Sequence, residues 1–125
     1  MWRSRALRVL LAAAAFFLTG HRFDDNWSIQ HCGYDGLSNH GAGWFEARTM
    51  SFGTENHCTA VRANIGYYDG KGNYRYETSY RLAKPLTTTV FSDYWVSNPV
   101  LASHAVAVNH PGSPPEWIGW HSTMH

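Results

Sequence analysis

The chain has 125 residues, with 10 Lys+Arg against 9 Asp+Glu and eight histidines. So balanced a charge, with no basic cluster, excludes the electrostatic footprint of a nucleic-acid binder, which depends on grouped Lys and Arg. It offers no polybasic stretch for anionic lipid either, and the length suits one domain with a modest core.

The first twenty residues read as an export signal. Arg3, Arg5 and Arg8 form a basic start, and an apolar run follows from Val9 to Leu18. Ten apolar residues span about 15 Å as a helix, roughly half the hydrocarbon core of a bilayer. That is too short to anchor and suits a cleaved signal peptide over 1–20, with cleavage expected after Gly20. The mature domain, 21–125, is then secreted and free of any membrane span. Its charge is −2, since loss of three arginines leaves 7 Lys+Arg against 9 Asp+Glu. No cysteine stands at the end of the apolar run to carry a lipid.

Beyond Gly20 no apolar residue recurs at helical spacing for three turns. Short aromatic or β-branched stretches appear instead, separated by Gly, Pro, Asn and Asp, which is the signature of strands. In chain order they are Trp27 to Gln30, Gly43 to Phe52, Cys58 to Tyr68, Tyr74 to Leu82, Thr87 to Val96, Val100 to His110 and Glu116 to Ser122. About seven short strands predict an all-β domain, a small antiparallel β-sandwich or barrel. Cys32 and Cys58 are an even pair in an exported chain, so one disulfide is expected, closing a loop of 25 intervening residues. In the chain-entropy account such a bridge contributes about 3 to 4 kcal/mol.

The clearest alternation lies on either side of "DGKGN". Val61, Ala63, Ile65 and Tyr67 share one face, with Arg62 and Asn64 on the other. After the bend, Tyr74, Tyr76, Thr78, Tyr80 and Leu82 oppose Arg75, Glu77, Ser79 and Arg81. Half-buried strands require this period of two, and Gly70 and Gly72 can supply a tight turn between them. An EF-hand calcium loop starting at Asp69 would need an acid near Lys71, glycine at Tyr74 and glutamate at Tyr80. None is present, so the stretch reads as a hairpin bend. A second hairpin turns at Pro111 to Pro115, because proline denies the ladder its donors. Strict alternation after that turn puts Ile118 and Trp120 on one face, with Trp117 and His121 on the other.

Chemistry is sparsely signalled. No Gly-x-Ser-x-Gly elbow and no phosphate-cradling loop occurs, and the cysteines are committed to the disulfide. A small hydrolase using His57 with Glu46 or Glu77 as an acid/base pair is the enzymatic alternative. The histidines are expected mainly at surface and loop positions, titrating near their ordinary value. No compact metal motif occurs and no cofactor is implied. The metal alternative is a cross-strand pair, His104 with His121, since strand neighbours along one chain lie too far apart.

Aromatic residues are in excess, with five tryptophans and seven tyrosines after residue 20. So small a domain cannot bury them all. An exposed row drawn from Trp117, Trp120, Tyr74, Tyr76 and Tyr80 beside polar groups suits sugar rings or a protein partner. The expected function is therefore a secreted, non-enzymatic binding module for envelope or matrix glycans or an extracellular protein. A secreted antimicrobial effector is a variant of that reading, with the hydrolase as the other alternative.

Overall fold

The computed structural model describes residues 21–51, 57–92, 101–110 and 112–124. The expected signal over 1–20, the end of the Thr87 to Val96 stretch with Trp95, the residues Phe52, Val100 and Pro111, and His125 lie outside them.

Among the described residues the protein is all-β, with eight strands rather than seven and no helix. The strands are β1 (His21–Ile29), β2 (Cys32–Gly41), β3 (Trp44–Ser51), β4 (Ala60–Tyr68), β5 (Tyr74–Arg81), β6 (Thr87–Ser92), β7 (Leu101–Ala107) and β8 (Ile118–Met124). They form two four-stranded antiparallel sheets, ordered β1-β2-β3-β6 and β5-β4-β7-β8. The sheets face each other as a sandwich, with β6 against β5 near one edge and β1 against β8 near the other.

β2 is the strand absent from the sequence reading. Gln30 and His31 join it to β1, both at positive φ, 49° and 61°, as a two-residue type I′ turn requires. The β4–β5 hairpin matches expectation, from Tyr68 opposite Tyr74 to Val61 opposite Arg81. Its bend is built on Asp69, whose Oδ1 accepts the Lys71 and Asn73 amides, both at 2.9 Å. The Asp69 Oδ2 accepts from Arg75 Nε at 2.9 Å. The Asn73 amide, together with Arg75, holds this carboxyl below its ordinary pKa. Gly72 takes the left-handed conformation and Gly70 does not.

The disulfide forms as expected. Cys32 at the start of β2 joins Cys58 just before β4, with Cα atoms 4.9 Å apart. It ties one sheet to the other, so it constrains the sandwich as well as the unfolded chain. Around it pack Tyr34, Val61, Leu86 and Val106. A second apolar cluster, of Phe45, Ala47, Ala63, Ile65, Tyr67, Val90 and Ala102, fills the other end.

Between the two clusters runs a polar layer. His104 of β7 is 0% exposed. Its Nδ1 lies 2.9 Å from Thr49 Oγ1 on the facing sheet, and its Nε2 lies 2.9 Å from Thr123 Oγ1 on β8. Thr49 gives its hydroxyl proton to the Arg62 carbonyl at 2.7 Å, so it can only accept from the imidazole. His104 is therefore the Nδ1–H tautomer, and Thr123 donates to the bare Nε2. Both buried hydroxyls and both ring nitrogens are satisfied only while the ring is neutral.

His104 thus corrects the expectation that the histidines are exposed. Burial, reinforced by nearby His121, pushes its pKa down to about 4, against a smaller opposing effect of the Arg48 backbone. A histidine whose folded pKa is depressed stabilises the fold fully above its unfolded value, near 6.5. That stability is lost as pH falls from there towards 4. Between pH 7.5 and 5 the expected loss is about 2 kcal/mol, or roughly 10 °C in Tm for a domain of this size. Thermal melts across that range check it; an unchanged midpoint would mean that His104 is not held neutral in the core.

Candidate functional site

Outward positions of sheet β5-β4-β7-β8 follow from its register. Arg62, Asn64, Gly66 and Tyr68 stand opposite Tyr80, Thr78, Tyr76 and Tyr74 on one side. On the other side, Arg62, Asn64 and Gly66 stand opposite Ala105, Ser103 and Leu101. Ser103 in turn faces Ser122 of β8. The five exposed rings on this face, Tyr68, Tyr74, Tyr76, Tyr80 and Trp120, are each 50–59% exposed. The face is an aromatic surface crossed by a polar belt.

Trp117 and Trp120 join this surface through a β-bulge. His104 pairs with His121 but Val106 pairs with Ile118, so β8 carries one residue more than β7 between the two pairs. Gly119 sits in that interval at φ 64°, the left-handed geometry that such a bulge uses. The extra residue resets the alternation. Ile118 packs on the disulfide cluster, and His121 stacks on Trp27, with centroids 4.5 Å apart. Trp117 and Trp120 both lie outward, with Arg62 Cζ 5.6 Å and 5.7 Å from their ring centroids. Strict alternation had separated these two tryptophans and paired Trp120 with Ile118; the bulge overturns that grouping.

Arg62 is the hub of the belt. Its Nε donates to Asn64 Oδ1 at 3.0 Å and to Thr78 Oγ1 at 3.2 Å. Thr78 donates to the same Asn64 oxygen at 2.7 Å, while Asn64 Nδ2 donates to Ser103 Oγ at 3.1 Å. Asn64 is 0% exposed although it faces outward, because the neighbouring side chains close over it. Tyr80, the strand partner of Arg62 on β5, lies 6.3 Å from Trp117. At the other end Tyr68 and Tyr74 meet edge to face, with centroids 5.3 Å apart. There the Tyr74 hydroxyl occupies the space above Gly66 where a side chain would stand. The local chemistry is that of stacking platforms beside hydroxyl, amide and guanidinium groups.

The residues of the enzymatic alternative are not brought together. His57 stands at the disulfide end, its amide donating to the His31 carbonyl at 3.0 Å and its ring 5.4 Å from that of His31. Glu46 pairs with Asn39, seven residues along β2 from Cys32, which is about 24 Å of strand. Glu77 stands opposite Ile65, more than half-way along β4. His104 and His121 do stand directly opposite each other. Both His104 nitrogens are taken by threonines, however, so the pair offers a metal one ring only. Among the described residues no group of three His, Cys, Asp or Glu side chains is placed to hold a metal ion.

The outer face of the other sheet is different in kind. A depression of about 300 Å³ is lined there by Arg22, Asp24, Asp35, Leu37, Arg48 and Met50. Arg22 pairs with Asp24 at 3.1 Å. Partial burial, and then the neighbouring Asp24 charge, raises the Asp35 carboxyl above its ordinary pKa. Acids and bases there largely offset each other.

Comparison with known protein families, curated proteins and solved structures finds no match for this chain.

The bulge also connects the aromatic face to the core. The Tyr34 hydroxyl donates to the Gly119 carbonyl, and burial raises that phenol to about 12. A Cβ at 119 would stand 2.6 Å from the Tyr34 hydroxyl oxygen. Gly119→Ala is therefore expected to cost roughly 1 to 3 kcal/mol through left-handed strain and overpacking. It should also change the near-ultraviolet dichroism of Trp117 and Trp120. Chemical denaturation and that spectrum check it, and an unaltered protein would deny the bulge its role in placing the two rings.

Proposed function

We propose that this chain is a small exported, non-enzymatic binding module that takes a glycan on the outer face of sheet β5-β4-β7-β8. The observation that carries this reading is that Trp117, Trp120, Tyr74, Tyr76 and Tyr80 share that one face with Arg62 and the Asn64–Thr78–Ser103 belt. Sugar rings combine flat apolar C–H faces with a rim of hydroxyls. Such a ligand needs aromatic planes to stack on and polar groups to fix its orientation. Tyr76 and Tyr80 are four residues apart on one strand, about 13 Å, so the face extends beyond a single ring.

The polar belt favours a glycan over a protein partner. Apolar area dominates the fully buried centre of a protein interface, whereas the centre of this face is an arginine, an asparagine and two hydroxyl side chains. A paired disulfide suits an oxidising compartment, which supports export together with the basic and apolar start of the chain.

Titration of the purified, oxidised protein against arrayed envelope and matrix glycans tests the reading. Selective retention of one glycan class is expected. Trp120→Ala or Tyr76→Ala should each reduce affinity about tenfold, the effect of removing an exposed aromatic anchor, with little change in melting temperature. Binding that is absent, or unchanged in both variants, would remove this face from the function.

A further inference from the structure

We infer that the glycan taken by this face is acidic, a chain bearing uronic-acid sugars whose carboxylate docks on Arg62. The inference rests on the glycan-binding reading and names its ligand class.

The outward strand positions on this face are 62, 64, 66 and 68 on β4, 74, 76, 78 and 80 on β5, 101, 103 and 105 on β7, and 120 and 122 on β8. Reading the residues at those positions gives a single formal charge, the guanidinium of Arg62. It is half-buried among aromatic rings, and no carboxylate among the described residues pairs with it. A cation withdrawn from water without a counter-ion is unfavourable unless its surroundings compensate. The two tryptophan faces, each within 6 Å, compensate in part. An incoming anion would complete the compensation.

The guanidinium is also oriented. Nε is committed to Asn64 and Thr78, and Asn64 is in turn held by Ser103. No acceptor among the described residues meets Nη1 or Nη2, so one edge of the fork is left for a ligand. Two parallel donors on one edge match the two oxygens of a carboxylate, a geometry that lysine cannot offer. Flanking rings would stack the sugar that bears the carboxylate, while Thr78 and Ser103 stand beside it for hydroxyl contacts. One cation is too few to track a phosphate backbone, whose binding depends on many Lys and Arg contacts. The opposite sheet presents Asp24, Asp35 and Glu46 outward beside Arg22 and Arg48, three acids against two bases, so its outer face is the less favourable one for an acidic chain.

The test uses uronate oligosaccharides (galacturonate, glucuronate and mannuronate series), each beside its methyl ester. Esterification keeps the ring and removes the charge. Tryptophan fluorescence of the oxidised protein reads binding. At least one acid is expected to bind about 30-fold more tightly than its ester, as a charge-assisted bidentate contact implies. Arg62→Gln should erase that preference while leaving ester binding in place, and Arg62→Lys should restore only part of it. Equal binding of every acid and its ester overturns the inference but leaves the glycan-binding reading standing. So does a preference for sulfated over carboxylated sugars. If no acidic, esterified or neutral glycan binds, both fail together. Should the Arg62 variants not fold, the acid–ester comparison on the unaltered protein decides alone.

Discussion

His104 is the constraint around which this sandwich is arranged. A neutral imidazole at the centre of a small core must find one donor and one acceptor without water, and it finds them in Thr123 and Thr49. Those partners come from both sheets, so the hydrogen bonds set how the sheets lie against each other. Buried polar groups are costly unless fully paired, which makes other arrangements of the layers unfavourable. The ring also needs space on the β2 side. Gly36 provides it, since a Cβ there would stand 2.5 Å from His104 Cδ2 and 2.6 Å from Trp27 Cζ3. The same layer continues to Ser79 and Thr88, whose hydroxyls bond at 2.5 Å, and to the Trp27–His121 stack at the far edge.

The bulge in β8 follows from the same layer. His121 must stand opposite His104 to stack on Trp27, while Ile118 must reach the cluster around the disulfide. Two strands in regular register cannot meet both demands over this distance, and one additional residue at Gly119 reconciles them. The outward consequence is the pairing of Trp117 and Trp120 over Arg62. The candidate site is thus positioned by core packing on strands, which holds side chains more closely than a mobile loop would.

Much of this was legible from residues alone, and the misses have physical causes. The Tyr74–Leu82 alternation and the Asp69 bend were readable because the hairpin obeys local rules of period and turn chemistry. Cys32 and Cys58 are readable as a pair from their even count and the expected export. β2 was not, because Gly33, Asp35, Gly36 and Asn39 are residues that strands usually avoid, and Gln30-His31 lacks the Asn or Gly expected in a type I′ turn. Its glycine at 36 is explained only by the rings packed against it. Trp117 and Trp120 stand out by residue type, but strict period-two alternation separates them. A lone glycine inside the aromatic stretch "WIGWH" was the available signal of a bulge. His104 carried no such signal, since burial of one histidine among eight depends on partners that are 55 and 19 residues away in sequence.

The aromatic excess has its explanation in the thinness of the core. Ala47, Ala63 and Ala102 are buried between the sheets, and such short side chains draw the two layers close. Little room is left inside for large rings beyond Tyr34, Phe45, Tyr67 and the partly covered Trp27. Exposed tyrosines on β5 consequently cannot be read as core residues that failed to be buried, because the interior has no volume for them. They are surface residues from the outset, gathered on the face that also carries a hydrogen-bonded, ring-flanked arginine. The charges that guard a sheet edge against pairing are carried by β5 at its alternate positions, Arg75, Glu77 and Arg81, all exposed. The outward positions of β5 instead present three tyrosines and a threonine, and that composition is the strongest physical reason to regard the face as built for a ligand.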